Sequence, residues 1–107
     1  MSVRKGEVHL WCVSDVDIID PSLLTQYYSV LSSQEKNEYK GLRFQGRHQY
    51  LIARSMLRIV LSSYIKHILP KDWIFKKNKY GKPFIGNNGL PFLIEFNLSH
   101  TSGKVVL

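Results

Sequence analysis

The stretch "RHQYLIARSMLRIVLSSYIKHILP", residues 47 to 70, has neither glycine nor proline before its last position. Proline bars a helix interior and glycine weakens it, so the run predicts a helix from Arg47 to about Ile68, stopped by Pro70. At about 100° per residue, Tyr50, Leu57, Leu61, Tyr64 and Ile68 form one stripe. Arg47, Arg54 and Arg58 follow that stripe's edge, and Ile52, Met56 and Ile59 are apolar on the far side. A helix apolar nearly all round is covered on several sides. This one calls for more protein around it than a chain of about 100 residues supplies. Its arginines read as partners for carboxylates that hold the helix in place.

Working toward the N-terminus, "SSQE", Ser32 to Glu35, fits a capping box and starts a helix from Ser33 to about Lys40, with Gly41 near its end. Asp20 followed by Pro21 starts another, to about Val30. "EVHLWCV", residues 7 to 13, alternates with period two and predicts a strand, with Val8, Leu10 and Cys12 on one face and His9, Trp11 and Val13 on the other. Toward the C-terminus, "WIFKKNKYGKPFI", 73 to 85, predicts two short strands about a basic turn. "GNNG", 86 to 89, is a further turn. Residues 92 to 98 alternate again with Phe92, Ile94, Phe96 and Leu98 inward, "HTSGK" is a turn, and Val105–Leu107 opens another strand. The expectation is an α+β fold, an antiparallel meander packed on a long central helix, with residues 1–107 forming one domain or part of one.

Composition bounds the function. With 44% hydrophobic residues, two Trp, six Tyr and five Phe, the chain has the means for a core. No apolar run approaches the ~20 residues of a membrane span, and "MSVRKGEVHLW" has no signal-peptide pattern. Hence no membrane partner and a cytoplasmic location are expected. Cys12 is the single cysteine, read as packing on an apolar strand face. It excludes an internal disulfide and a cysteine-rich metal site. His9, His48, His67 and His100 make no HxxxH or HxH pair. GxSxG, GxGxxG and P-loop patterns are absent. Fifteen Lys+Arg against eight Asp+Glu give +7. Such a surface attracts nucleic acid, a phosphorylated small molecule or an acidic protein.

Two segments carry candidate anion chemistry. "KKNKYGKP" places Lys76, Lys77, Lys79 and Lys82 around Gly81. Lysine pairs with phosphate as a flexible point charge, and glycine lets a backbone come close to a ligand. A solvated hairpin with lysines guarding an edge strand has the same composition. In "NLSH", Asn97 and Ser99 are turn residues that can present N–H groups to an anion, and His100 can donate a hydrogen bond to phosphate. A turn that satisfies its own backbone has the same sequence.

Taken together, "LSSQEKNEYKGLRF", "RHQYLIARSMLR", "KYGKPFI" and "FNLSHTSGKVVL" resemble, in this order and spacing, the N-terminal half of 4'-phosphopantetheinyl transferases. The likeness is to the larger, pseudo-dimeric type and covers roughly residues 31 to 107. It implies one half of a pseudo-twofold α+β fold with coenzyme A in the cleft between halves. It also implies a reaction in which a serine of an acyl or peptidyl carrier protein attacks the coenzyme's pyrophosphate, takes the phosphopantetheine arm and releases 3',5'-ADP, with magnesium on the pyrophosphate. By this resemblance Lys40, with Lys36 as the neighbouring candidate, and Lys77 serve the 3'-phosphate. Lys82, with Tyr80 and Gly81, lines the adenosine-phosphate site, and Ser99 and His100 touch the 3'-phosphate or pyrophosphate.

The family's acidic G-[VI]-D-x-E segment and its W-x-x-K-E-[AS]-x-x-K helix have no counterpart among these residues, so the resemblance assigns neither magnesium ligands nor a general base. The expectation is therefore an N-terminal half, inactive alone, which the over-apolar helix and the apolar "VVL" also prompt. Two rivals stand beside it. One is a small basic nucleic-acid-binding module, for which "WIFKKNKY" interleaves lysines and aromatics. The other is a homodimer in which two copies imitate the pseudo-twofold enzyme.

Overall fold

The computed structural model describes residues 9–91, 94–101 and 104–107, with Val16, Phe44, Gln45, His100, Thr101, Lys104 and Val106 described by their backbone alone. Strand β1 (Cys12–Ser14) leads through a 3-10 turn (Asp15–Asp17) to helices α1 (Pro21–Ser29), α2 (Ser33–Gly41) and α3 (Phe44–Tyr64). A second 3-10 turn (Pro70–Asp72) precedes β2 (Phe75–Lys77), β3 (Pro83–Ile85), β4 (Ser99–Thr101) and β5 (Lys104–Val106). The fold is α+β. The expected meander is instead two separate antiparallel sheets, β1-β5-β4 and β2-β3.

Local chemistry starts the first two helices. The Asp20 carboxylate accepts from the Ser22 backbone N–H at 2.9 Å, one of the donors a helix start leaves unpaired. At α2 the Ser32 hydroxyl accepts from Glu35 N (3.1 Å) while Glu35 Oε1 accepts from Ser32 N (2.9 Å), so the capping box is complete. Ser32→Ala is expected to destabilise the fold by about 1 kcal/mol, read from urea unfolding.

Helix α3 carries the core. Leu51, Ile52, Ala53, Met56, Leu57, Val60 and Leu61 are buried, joined by Ile65, Ile68, Trp73, Val105 and Leu107. The helix begins three residues before Arg47 and ends at Tyr64, not at Ile68. Ile68 still reaches the core, but through a turn that the Ser62 hydroxyl closes by donating to its carbonyl at 2.7 Å. Of its predicted apolar positions only Ile59 is substantially exposed, at 39%. The expectation of too little protein to cover the helix is thus corrected. The first two helices, the 3-10 turns and β5 pack against it.

The "VVL" segment is corrected likewise. Strand β5 lies between β1 and β4, with Cys12 opposite Val106 and His100 opposite Val105. Trp11 and Leu107 extend the ladder with mutual backbone hydrogen bonds of 2.7 Å. Val105 is fully buried. Residues 7 and 8 of the first predicted strand lie outside the described residues. In the rest, Trp11 and Val13 face the core, while Leu10 is exposed. Cys12 is exposed too, which overturns its reading as a packed side chain. Residues 94–98 form no strand, yet Ile94, Phe96 and Leu98 pack inward as their alternation predicts, and Phe92 lies outside the described residues.

Candidate functional site

The residues proposed to hold phosphate lie on three elements. Lys36 and Lys40 are on α2, Lys77, Tyr80, Gly81 and Lys82 are on the β2-β3 hairpin, and Ser99 and His100 are on β4. Ser99 and His100 stand in a strand at the edge of the three-stranded sheet, which corrects their reading as a turn. The side chain of His100 lies outside the described structure.

The hairpin turn is organised by Asn78. Its side-chain Oδ1 accepts from the N–H groups of Tyr80 (2.9 Å) and Lys82 (3.0 Å), and its own N–H donates to the Lys82 carbonyl at 2.9 Å. Gly81 sits at φ +81°, a left-handed conformation that a side chain disfavours. Gly81→Ala is expected to lower stability by about 1 kcal/mol and to loosen the turn, checked by urea unfolding and amide exchange of Tyr80 and Lys82. Tyr80 is 82% exposed at the tip, with Lys79 Nζ 5.1 Å from its ring centroid.

What ties the three elements together centres on a buried ion pair. The Glu35 carboxylate receives Arg54 Nε and Arg58 Nε, each at 2.7 Å. Arg58 also donates through Nη1 to the carbonyls of Pro70 (3.0 Å) and Trp73 (2.8 Å), just before β2. Both guanidinium groups sit over the Phe75 ring of β2, at 5.2 and 4.9 Å from its centroid. Phe75 meets Phe96, ahead of β4, edge-on at 5.4 Å. One carboxylate, two arginines and two aromatic rings therefore join α2, α3, the hairpin and the approach to β4. Arg54 and Arg58 hold the helix as expected. Arg47 does so through backbone carbonyls instead, with Nε on Leu42 and Nη2 on Lys40 at 2.8 and 2.7 Å.

Burial pushes the Glu35 carboxyl up. The Ser32 N–H, Arg54 and Arg58 outweigh it and bring it below the ordinary glutamate value. Burial first, then the hydrogen bond its hydroxyl donates to Glu38 (2.5 Å), raises the Tyr50 phenol. The sequence marked Glu35 only as a cap, because its second role depends on residues 19 and 23 positions away. Phe96 was visible only as an inward position, and Phe75 only as a member of a predicted short strand.

The fold is similar to that of a holo-(acyl-carrier-protein) synthase. That synthase, from Bacillus anthracis str. Ames, was crystallised in complex with CoA (3',5'-ADP) and matches with a TM-score of 0.67 at 17% identity. The likeness spans 91% of this chain and 87% of the synthase chain, so the two chains are nearly equal in length. No family model matches this sequence, and no curated protein matches it.

Magnesium finds no fit in the described part of this chain. Among the described residues no three His, Cys, Asp or Glu side chains form a group able to hold a metal. The likeness is one of fold, and the described residues assign no ligands to an ion. No helix among the described residues is long and apolar enough to cross a membrane.

Proposed function

We propose that this chain binds the phosphates of coenzyme A and serves the transfer of its 4'-phosphopantetheine arm to a serine of an acyl or peptidyl carrier protein. The observation that carries this reading is the Glu35–Arg54–Arg58–Phe75–Phe96 framework, which joins the three elements bearing the candidate residues. The fold likeness to a synthase bound to CoA supports it. Lys36, Lys40, Lys77 and Lys82 are proposed to neutralise the 3'-phosphate and pyrophosphate, with Tyr80, Gly81, Ser99 and His100 lining the same site. None of these four lysines pairs with a carboxylate among the described residues, so their charge is available to a ligand.

In this proposal the chain supplies one wall of the cleft. The acidic metal ligands and the base come from elsewhere, in a C-terminal half or a further protein, so coenzyme A is bound weakly and no arm is transferred by this chain alone. The near-equal length of the synthase chain favours a second reading for the missing wall, a second copy of this chain. Light scattering with and without coenzyme A separates the two, since a coenzyme-stabilised dimer is expected only of the second.

Titration calorimetry with coenzyme A and with 3'-dephospho-coenzyme A tests the site. Binding of coenzyme A is expected, weakened about tenfold or more by loss of the 3'-phosphate or by the double change Lys77→Ala, His100→Ala. Equal binding by the chain and the double variant removes the assignment. Salt-sensitive RNA or DNA binding untouched by coenzyme A would instead favour the nucleic-acid module.

A further inference from the structure

Between α1, α2 and α3 lies a cleft of about 470 Å³ that contains none of the residues assigned to coenzyme A. Its volume is within the range of small-molecule sites, roughly 300–1,000 Å³. Leu24 and Leu51 and the rings of Tyr28 and Tyr39 give it apolar walls. The two rings meet at 5.3 Å with a 59° tilt. Each holds a cation on a face, Lys36 Nζ 5.2 Å from the Tyr28 centroid and Arg47 Cζ 5.7 Å from that of Tyr39.

Polar groups join the apolar wall. Arg47 lines the cleft with two of its nitrogens held by the Lys40 and Leu42 carbonyls. Its third, Nη1, has no acceptor among the described residues, and no carboxylate lines the cleft. A guanidinium fixed in this way is already ordered, so little side-chain freedom is lost when an anion pairs with it. His48, also on the wall, donates from Nε2 to the Asp15 carbonyl at 2.7 Å, since a carbonyl can only accept.

We propose that this cleft is a second binding site, for a small aromatic carboxylate whose flat body lies against the tyrosines and leucines and whose anionic end pairs with Arg47. Aromatic rings favour tilted and offset partners of their own kind, and a carboxylate paired with the guanidinium supplies the polar anchor. The site does not rest on the coenzyme reading, and it adjoins that reading's residues only at Lys36, which sits on the Tyr28 ring.

The test uses naphthalene-2-carboxylate and its uncharged counterpart naphthalene-2-methanol, followed by equilibrium dialysis with the full chain. Saturable binding of the acid is expected, with the alcohol at least about tenfold weaker. Arg47→Gln is expected to weaken the acid by about tenfold. Thr25→Trp, from an exposed position on the cleft wall, is expected to block it by bulk while leaving the Arg47 contacts in place. Saturating coenzyme A should leave the acid bound. Absence of saturable binding overturns the proposal, as does equal binding of acid and alcohol, an unchanged affinity in Thr25→Trp, or displacement of the acid by coenzyme A.

Discussion

Glu35→Ala is expected to destabilise the fold by about 3–5 kcal/mol, because it strands two guanidinium groups that pair with no other carboxylate among the described residues. The Arg58 side chain is 2% exposed and that of Arg54 22%, so water can solvate the first hardly at all. The capping box at the start of α2 is lost in the same step. Near this chain length 1 kcal/mol moves the melting temperature by roughly 4–8 °C, so the loss should exceed about 10 °C. Calorimetric melting measures it, and a loss below about 1 kcal/mol would show that the arginines find other partners.

Glu35→Gln separates charge from shape. Its amide oxygen can still accept from Ser32 N, while the charge facing Arg54 and Arg58 is gone. Because the folded-state carboxyl titrates below its ordinary value of 4.5, its contribution is fully present above that pH. It is lost as pH falls through the lowered folded value. Stability of the wild-type chain should therefore fall in acid through this group, and the Gln variant should lack that part of the slope. Parallel acid profiles would contradict the lowered carboxyl.

Trp73→Ala is expected to destabilise by about 3–5 kcal/mol, the range for removing a large buried aromatic. Trp73 is 2% exposed. Its indole N–H donates to Ser62 Oγ at 2.8 Å, and Ser62 in turn donates to the Ile68 carbonyl at 2.7 Å. The ring therefore fills the core at the end of α3 and also supports the turn that ends the helix. The Trp73 carbonyl takes Arg58 Nη1, so a shifted backbone here reaches the ion pair too. Trp73→Phe keeps most of the volume and removes the indole hydrogen bond, and should lose only about 1–2 kcal/mol. Urea midpoints should order as wild type, then Phe, then Ala, with similar slopes. A reversed order would mean that the hydrogen bond outweighs the packing.

What the sequence revealed follows from how local each signal is. Asp20 with Pro21, and Ser32 with Glu35, announce helix starts because the capping atoms lie within three residues of the groups they satisfy. The ends of α3 were misplaced for the converse reason. Arg43 caps its start with no side-chain hydrogen bond, and its stop is made by Ser62 closing a turn onto Ile68. Residues 94, 96 and 98 alternate as a strand does because the core selects alternate side chains, whether or not a backbone partner is present. The basic turn was legible down to its glycine. The framework that joins it to α2 was not, since it depends on Phe75 meeting arginines from another helix. The α1-α2-α3 cleft gave no motif at all, because its walls come from three helices with ordinary amphipathic patterns.

The pairing of β1 with β5 joins residues 12–14 to residues 104–106. Helices α1 to α3 lie between them in the chain and form mostly local contacts, which close quickly, whereas a ladder across so long a loop forms late. During synthesis residues 12–14 must therefore wait for residues 104–106 before the two can pair. Until then the edge of that strand is a template on which a neighbouring polypeptide can pair.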